Sequence, residues 1–473
     1  MDSSTKACYN FARFYKTEEV MKMSFKFFGG VHPKDRKALT GSSPATPIAL
    51  PPRVTIPMLL HIGTPCAPLV KAGDKVTLGQ KIGNSDSPVS APVHASVSGT
   101  VLAVEPRLHP NGSAVTSVII ENDGQNTLCE AVTPRTQDEI LALDGDSITG
   151  IIRDCGIVGM GGATFPTAFK INSGKGKADT VIINGAECEP YITSDYRTML
   201  EHPEKLLKGI ALIMRACDVS KSVFAIESNK SDAIALLKSS GAAELGIEVL
   251  SLPCRYPQGA EKQLIQTVTG REVPPGGLPS AVGCAVFNTY TAYSVYKAVY
   301  EGMPVTERVV TVSGSAVKEP KNLVVPIGTA LEYVFEQAGG FSAGPDKVLM
   351  GGPMMGNAMH SLDVPTIKGT NALLAFCDNE DKTVANPVCI RCGRCVEACP
   401  MRLLPMYLYM YEQADDFVSM ERYNISDCME CGACAYNCPG RLHLVHSLRT
   451  GKAKLAARAE AEKARAASGK EEN

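Results

Sequence analysis

Eight of the 17 cysteines lie between residues 389 and 438. They form two runs of the pattern C-x2-C-x2-C-x3-C-P, one beginning at Cys389 and the other at Cys428. This pattern is typical of chains that hold two [4Fe-4S] clusters, in which three thiolates of one run bind one cluster and the fourth binds the other. We therefore expect Cys389, Cys392, Cys395 and Cys438 to hold cluster I, and Cys399, Cys428, Cys431 and Cys434 to hold cluster II.

A pair of zinc knuckles is the alternative for these eight cysteines. Zinc sites use two C-x2-C pairs or histidine ligands around one ion. They explain neither the third C-x2 step nor the proline that follows the fourth cysteine of each run. The remaining cysteines occur singly and are expected to be packed thiols: Cys8, Cys66, Cys129, Cys155, Cys188, Cys217, Cys254, Cys284 and Cys377.

A second candidate for chemistry is the glycine-rich segment from Gly156 to Lys170. Glycines let backbone N–H groups approach an anion, Pro166 suits the first position of a helix, and the positive end of that helix favours a phosphate. Lys170 would add a positive charge. Glycine-rich turns before helices are common, and this segment is not G-x-G-x-x-G, so the pattern alone is not specific for a nucleotide.

The elements after this segment are expected to alternate between strand and helix. Apolar, β-branched runs predict strands, and periodic apolar positions predict helices. Polar groups follow the strands at 185–191 and 256–262, at the end of an open α/β sheet where ligands bind. The predicted strands are 180–184, 222–227 and 247–252, and the predicted helices are 202–217 and 230–239. Such alternation is typical of a doubly wound sheet.

In this context four segments resemble, in order, the FMN- and NADH-binding segments of the flavoprotein subunit of respiratory complex I. They are Gly159-x-Gly161-Gly162-Ala-x-Phe165-Pro166, Asn184-x-x-Glu187-x-Glu189-Pro190, Tyr256-x-x-Gly259-x-Glu261 and Val286-Phe-Asn288-Thr289. Together with the twin cysteine runs and Phe28-Gly-Gly-Val-His-Pro33, they make residues 24–450 most similar to the C-subunit family of the Rnf ion-translocating ferredoxin:NAD oxidoreductases.

The resemblance implies FMN, NAD(H) and two [4Fe-4S] clusters as cofactors, with no side chain acting as an acid or base. It implies that the FMN phosphate is held by Gly159, Gly161, Gly162 and Lys170, and that the flavin is contacted by Asn184, Asn288 and Thr289. Phe165 would stack on the nicotinamide or adenine. The same pocket would be lined by Glu187, Glu189, Tyr256, Gly259 and Glu261. Met160 replaces a basic residue of complex I, and Ala186 and Ala260 replace acids, which bears on the electrostatic tuning of the flavin.

The fold class expected is multidomain α/β and α+β. Residues 46–135 resemble the barrel-sandwich fold of biotinyl and lipoyl carriers, but the hairpin tip at 84–88 lacks a lysine for attachment. His32, His61, His94 and His109 are expected to be surface or core residues. The predicted units are an N-terminal extension (1–45), the barrel-sandwich β domain (46–135), a Rossmann-like FMN/NADH-binding α/β domain (136–305), a β-grasp module of the soluble-ligand-binding type (306–375), a helical twin [4Fe-4S] ferredoxin-type domain (376–450) and a charged, Ala-rich tail (451–473).

Composition limits the classes of function. A net charge of −2 and the absence of tryptophan give no basic field for nucleic acid, so nucleic acid is not an expected partner. The first residues contain no signal-peptide pattern, and no window of 18 residues is apolar enough to cross a membrane. We therefore expect a soluble, cytosolic chain.

The resemblance implies a peripheral subunit at the cytoplasmic face of the cell membrane, part of an NAD(H):ferredoxin oxidoreductase complex that translocates ions. It would pass electrons between NAD(H), FMN and the clusters, coupling ferredoxin oxidation to NAD+ reduction or the reverse. Its partners would be the other Rnf subunits and ferredoxin or a cluster-bearing subunit. Two alternatives are a soluble flavin and iron–sulfur cobalamin reductase of microcompartments, and a non-catalytic electron-wiring scaffold.

Overall fold

The computed structural model describes residues 27–377, 384 and 386–468. Its strands are β1 Ala45–Pro47, β2 Arg53–Pro57, β3 Ala67–Pro68, β4 Lys75–Val76, β5 Lys81–Asn84, β6 Val93–His94, β7 Gly99–Leu108, β8 Ala114–Asn122, β9 Thr180–Gly185, β10 Ser222–Glu227, β11 Ile247–Leu252, β12 Cys284–Asn288, β13 Glu307–Ser313, β14 Lys321–Pro326, β15 Lys347–Met350, β16 Asn357–Ala358 and β17 Ala372–Phe376.

The α-helices are α1 Gln137–Ala142, α2 Gly145–Asp154, α3 Thr167–Gly174, α4 Ser194–Glu201, α5 Pro203–Ala216, α6 Ser231–Ser239, α7 Glu261–Thr269, α8 Thr289–Tyr300, α9 Leu331–Gln337, α10 Arg394–Ala398, α11 Pro405–Gln413, α12 Phe417–Arg422, α13 Ala433–Tyr436 and α14 Leu444–Ser468. No helix among the described residues is long and apolar enough to span a membrane.

The barrel module consists of two antiparallel sheets, in the orders β2-β8-β7-β4 and β3-β5-β6. Alternate positions of the strands point inward, and Ile56, Ile82 and Val118 are fully buried between them. β7 carries an irregularity between Val101 and Ala103, which bends the long β7–β8 hairpin.

The flavin module, as we call residues 136–305, contains a fully parallel sheet in the order β11-β10-β9-β12. β9, β10 and β12 are mostly buried apolar runs, as is typical of the inner strands of a parallel sheet, whereas the edge strand β11 also carries the less buried Glu248 and Ser251. β10 and β11 have the predicted bounds, α5 is one residue shorter at each end than predicted, and α6 begins one residue later. The sheet grows from β9 toward β11 and then restarts on the other side with β12. β9 and β12 therefore flank the topological switch point.

A six-stranded mixed sheet follows, in the order β1-β14-β13-β17-β15-β16, with α9 packed against it. β1, which precedes the barrel in the chain, pairs in parallel with β14 as the edge strand of this sheet. The chain therefore enters the barrel only after contributing to another module.

The cluster module comprises α10 to α14. The segment between the two cysteine runs contains α11 and α12. The Ala-rich tail continues α14 as far as Ser468, and residues 469–473 lie outside the described part.

The cysteines outside the two runs differ in burial. Cys66, Cys217 and Cys284 are buried, as predicted, but Cys254 is exposed because it follows β11 in a surface turn. The prediction of a packed thiol is therefore wrong for Cys254. Cys129, Cys155, Cys188 and Cys377 are intermediate, and Cys8 lies outside the described residues. His61, His94 and His109 are buried and His32 is exposed.

Candidate functional site

The two cysteine runs have the same backbone course. The second residue between the first two cysteines has a positive φ in each run, 56° at Arg391 and 59° at Glu430. The glycine after the second cysteine follows with φ of 77° at Gly393 and 80° at Gly432, and each glycine starts a short helix. These turns bring the thiols of each run to one side of the chain, and they relate the two runs as a structural repeat.

Each run contributes its fourth cysteine to the cavity of the other run. Cys438 joins Cys389, Cys392 and Cys395 around an open cavity of about 330 Å³. Cys399 joins Cys428, Cys431 and Cys434 around a second cavity of about 360 Å³. The linings of the two cavities match the exchange predicted from the spacing, and the assignment of these thiols as cluster ligands stays a prediction. The donor sets fit two [4Fe-4S] clusters, which take four thiolates each.

Most of the thiols around the second cavity are buried. Burial raises the pKa of the Cys431 thiol to about 12 and raises that of Cys399 as well. A bound cluster would hold them as thiolates, since metal binding releases the thiol protons. Backbone N–H groups already point at two of the sulfurs, from Leu403 to Cys399 Sγ at 3.4 Å and from Glu430 to Cys428 Sγ at 3.4 Å. Such hydrogen bonds help to set a cluster's potential.

The surroundings of the two clusters differ in exposure. Cys389 and Cys392 are exposed, whereas Cys399, Cys431 and Cys434 are buried. The cluster II cavity also touches the flavin module, because the Tyr256 hydroxyl donates a hydrogen bond of 2.6 Å to the backbone carbonyl of Cys431. The cavity expected to hold cluster II thus adjoins residues 136–305, and the cavity expected to hold cluster I is more exposed.

Polar residues converge at the switch point of the parallel sheet. Asn184 and Asn288 are register partners at the carboxyl ends of β9 and β12. Thr289 Oγ1 donates to the Asn184 carbonyl at 3.0 Å, and Asn184 Nδ2 donates to the Gly259 carbonyl at 2.7 Å. Asn288 Oδ1 accepts the first N–H groups of α8, and its Nδ2 donates to Asp195 Oδ2 at 2.7 Å. The structure therefore brings together four of the predicted site residues, Asn184, Gly259, Asn288 and Thr289.

The glycine-rich loop covers this point. A Cβ added at Gly161 would lie 3.5 Å from the Asn288 side chain, whereas one at Gly162 would meet nothing within 4 Å. Gly162 has φ +123°, which favours glycine, and both glycines are exposed. Gly159 closes the loop through its N–H to the Phe165 carbonyl at 2.8 Å. Pro166, predicted at the first helical position, is the N-cap, and α3 begins one residue later.

The charged residues beside the loop form a pair. Lys170 Nζ donates to Glu261 Oε1 at 2.9 Å and to the Val286 carbonyl at 3.0 Å. Phe165 is partly exposed and meets Phe169 edge-on, with ring centroids 5.7 Å apart. Glu261 thus offsets part of the positive charge that the sequence offered for a phosphate.

Glu187 and Glu189 point toward protein groups. Glu187 Oε1 accepts the Asp195 N–H at 2.7 Å at the start of α4, and its Oε2 lies 3.9 Å from Lys37 Nζ. Glu189 accepts the backbone N–H groups of Met354 and Met355 at 3.0 and 2.9 Å. Desolvation raises the pKa of the Glu187 carboxyl and raises that of Glu189 to about 7.

Tyr256 completes this second group. Its hydroxyl lies 3.4 Å from Glu189 Oε1, in addition to its bond with Cys431. The predicted set therefore divides in two. One part surrounds the switch point, and the other, Glu189 and Tyr256, occupies the junction with the cluster module and the β15–β16 loop.

Sequence reasoning missed four charged residues near the site. Lys230 Nζ donates to the Ala186 carbonyl at 2.7 Å, and Arg308 Nη2 donates to the Met160 carbonyl at 3.0 Å. Asp195 and Lys37 contact predicted residues, as described above. Only for Arg308 did the sequence contain a signal: it is a charged residue directly before the apolar run of β13. A charged side chain buried in such a strand requires a polar partner.

Comparisons with known proteins agree with this division into modules. Residues 25–125 match the family model described as the RnfC barrel sandwich hybrid domain, and residues 152–297 match the Nuo51 FMN-binding domain. Residues 309–358 match the SLBB domain, and residues 388–441 match the 4Fe-4S dicluster domain.

Three curated proteins are similar over nearly the whole chain, and each is the C subunit of its complex. That of the Na(+)-translocating ferredoxin:NAD(+) oxidoreductase complex of Acetobacterium woodii is 44% identical over 91% of this chain and 97% of that protein. That of the proton-translocating ferredoxin:NAD(+) oxidoreductase complex of Clostridium ljungdahlii is 45% identical over 93% of this chain and 96% of that protein. That of the ion-translocating oxidoreductase complex of Rhodobacter capsulatus is 41% identical over 92% of this chain and 84% of that protein.

Proposed function

The chain belongs to the family of C subunits of ion-translocating ferredoxin:NAD(+) oxidoreductase complexes, and we propose that it passes electrons between NAD(H), FMN and two [4Fe-4S] clusters. It does so as a peripheral subunit at the cytoplasmic face of the membrane, together with the other subunits and with ferredoxin or a cluster-bearing partner. The relatives are all named as subunits of such complexes, which does not favour a soluble cobalamin reductase.

One observation carries this proposal: the cavity for cluster II lies against the flavin module, with the Tyr256 hydroxyl on the carbonyl of its ligand Cys431. A protein that only scaffolded its clusters would not need this contact. NAD(H) exchanges electrons in pairs and clusters exchange them singly, and bound FMN supplies the conversion between the two. The modules are arranged in the order that this chemistry requires.

The chain's own residues bind and orient the flavin. Gly161 leaves the cradle over Asn288 open, because a side chain there would contact Asn288, and Gly162 gives the loop its positive φ. Asp195 Oδ1 is buried without a hydrogen-bond partner, next to the Asn288 amide, and is a free acceptor for a polar group of a ligand. Asn184, Gly259 and Thr289 hold the floor of this site.

Several predicted contacts take different roles in the proposal. Glu187 and Glu189 support the site from behind, Glu187 by capping α4 and Glu189 by holding the Met354–Met355 backbone. Lys170 and Glu261 sit beside the cradle as a pair, and Phe165 is the exposed ring available to the nicotinamide or adenine. Gly159 shapes the loop.

The finer fold assignments belong to the same proposal. We assign a barrel-sandwich fold to residues 46–135, a Rossmann-like fold to 136–305, a β-grasp fold to 306–375 and a ferredoxin-type fold to 376–450. The sheet orders support the first three assignments, and the exchanged fourth cysteines support the last.

The test is anaerobic purification of the full chain, with analysis of iron, sulfide and flavin, followed by addition of NADH. We expect about eight irons and one FMN per chain, with the flavin bleached by NADH. Bound FMN that does not respond to NADH would refute the proposal, and absence of FMN would favour the scaffold alternative.

A substitution then tests the pocket itself. Phe165→Ala should weaken the response to NADH and leave the iron content unchanged. Phe341→Ala is the matched control, because Phe341 is also a partly exposed ring packed on another phenylalanine, but in the six-stranded module. Equal NADH responses of the two variants would contradict the role of Phe165.

A further inference from the structure

Residues 27–37, which we call the strap, lie outside the barrel. The match to the barrel-sandwich family model begins at residue 25, but the first barrel strand, β2, begins at Arg53. The strap instead passes between the flavin module and the cluster module. Its sequence is Phe27-Phe28-Gly29-Gly30-Val31 followed by a polar stretch that ends at Lys37.

One side of the strap is bonded to the flavin module. Val31 and Tyr256 exchange both backbone hydrogen bonds, at 2.8 and 2.9 Å, as an antiparallel bridge. The Arg255 guanidinium donates to the Phe27 carbonyl at 3.0 Å and lies over the Phe27 ring, 5.0 Å from its centroid. Phe27 is buried, so this side of the strap is fixed.

The other side of the strap is bonded to the chain that carries a cluster II ligand. The Gly30 N–H donates to the Ala398 carbonyl at 2.9 Å. A Cβ added at Gly29 would lie 2.7 Å from both the carbonyl carbon and the oxygen of Cys399. Arg402 lies over the Phe28 ring at 5.3 Å from its centroid. Only glycine permits this approach to the Cys399 backbone.

The far end of the strap holds the loop that follows β9. The Asp35 carbonyl accepts the Tyr191 N–H at 2.7 Å. Lys37 Nζ is buried and donates to the Glu189 carbonyl at 3.0 Å. One short segment thus touches the loop with the predicted flavin-site acids, the Tyr256 segment and the cluster II ligand.

We propose that the strap is a positioning element that sets the placement of cluster II against the flavin module and thereby the rate of electron transfer between them. The inference rests on the proposed function. The strap has no role as an acid, a base or a ligand in this proposal. Its contacts are backbone hydrogen bonds, two phenylalanine rings that lie under arginine side chains, and the Lys37 side chain. Because electron transfer slows as the distance between donor and acceptor grows, a displaced cluster II should be reduced more slowly.

The test uses Gly29→Ala in the full chain, with Gly112→Ala as the matched control. Gly112 also has a positive φ, +87° against +69° at Gly29, but an added Cβ there meets nothing within 4 Å. Both variants place alanine in the left-handed region, and only Gly29→Ala pushes on Cys399. Three quantities are measured: iron and FMN content, the rate of flavin bleaching by NADH, and the rate of cluster reduction.

We expect Gly29→Ala to keep the flavin-bleaching rate and to slow cluster reduction severalfold, with Gly112→Ala like the unmodified chain. Hydrogen exchange of residues 398–403 should be faster in Gly29→Ala only, a readout independent of turnover. Unchanged cluster reduction and unchanged exchange in Gly29→Ala would overturn the proposal.

A second variant decides the matter if Gly29→Ala loses iron. Phe28→Leu removes the ring beneath Arg402 at an exposed position, so the fold should survive. Slower cluster reduction with full iron content supports the strap's role, and unchanged reduction refutes it. An unmodified chain whose flavin does not respond to NADH would instead refute the proposed function, so the two failures are distinguishable.

Discussion

The exchange of the fourth cysteine between the two runs predicts how single substitutions redistribute iron. Cys438 lies in the second run but lines the cavity of the first, and Cys399 does the reverse. Cys438→Ala should therefore remove cluster I, and Cys399→Ala should remove cluster II. Alanine is preferred to serine because a serine oxygen can replace a thiolate as a ligand.

The magnitude follows from the donor sets. Each cavity has four thiols and no thiol is shared, so each single variant should keep about four of about eight irons per chain. The cluster II variant should show a further effect. Cys399 lies beside the strap, and its loss should also loosen residues 398–403, whereas loss of the exposed cluster I should leave the junction intact.

Two reference variants identify which cluster is lost. Cys389→Ala removes cluster I and Cys428→Ala removes cluster II under either assignment, because each is the first cysteine of its run. In the reduced protein, the electron paramagnetic resonance spectrum of Cys438→Ala should match that of Cys389→Ala, and the spectrum of Cys399→Ala should match that of Cys428→Ala. The opposite matching would mean that each run binds its own cluster, and would refute the reasoning.

Three further predictions concern the flavin module. Burial raises the pKa of Glu189 from 4.5 to about 7, so the folded protein binds the carboxyl proton more tightly than the unfolded chain does. The contribution of this group to the free energy of unfolding is therefore complete below about pH 4.5 and is lost as the pH rises through 7. At 1.36 kcal/mol per pKa unit, the free energy of unfolding should fall by about 3 kcal/mol over this range. Melting temperatures measured at pH 5 and pH 8 should therefore show Glu189→Gln becoming more stable relative to the unmodified chain at pH 8. A difference in melting temperature that is the same at both pH values would contradict the burial argument. Gly209→Ala should lower the melting temperature, because its Cβ would overlap the Ala292 carbonyl where α5 crosses α8. Gly150→Ala is the control: an added Cβ there meets open space, and alanine favours the helix α2 more than glycine does, so the melting temperature should rise slightly. Asn288→Ala should lower the free energy of unfolding by about 1 kcal/mol, because the helix cap of α8 is lost. It should also weaken the retention of FMN on dialysis. Retention equal to that of the unmodified chain would show that Asn288 is not part of the flavin site.

The cysteine arrangement could be predicted from the sequence because its constraints are local. Two residues between ligands allow few turns, and Gly393 and Gly432 fix those turns in both runs. The strands and helices of the parallel sheet were predictable for the same reason, since continuous apolar runs such as β10 indicate strands buried on both faces. Alternation of strand and helix predicted a doubly wound sheet, but the return of the chain to place β12 beside β9 depends on packing between distant segments.

The direction of side chains after a strand was not predictable. Glu187 and Glu189 follow β9 in a polar loop, and both directions, toward a ligand or toward the protein, satisfy the same local pattern. What decides is the set of donors that the fold supplies: the α4 backbone, eight residues after Glu187, and two distant segments, the strap's Lys37 and the Met354–Met355 backbone. Such donors are separated by up to 166 residues in the sequence and leave no local signal.

The placement of Glu189 and Tyr256 links binding of the flavin to attachment of the cluster module. Glu189 joins the loop after β9 to the β15–β16 loop, and Tyr256 joins the same loop region to Cys431. A shift of the β9 loop on ligand binding would be transmitted to both neighbours through direct hydrogen bonds. Substitutions at these two positions should therefore alter the flavin response and the cluster II spectrum together, whereas substitutions at Gly162 should alter the flavin response alone, because nothing lies within 4 Å of its Cβ position.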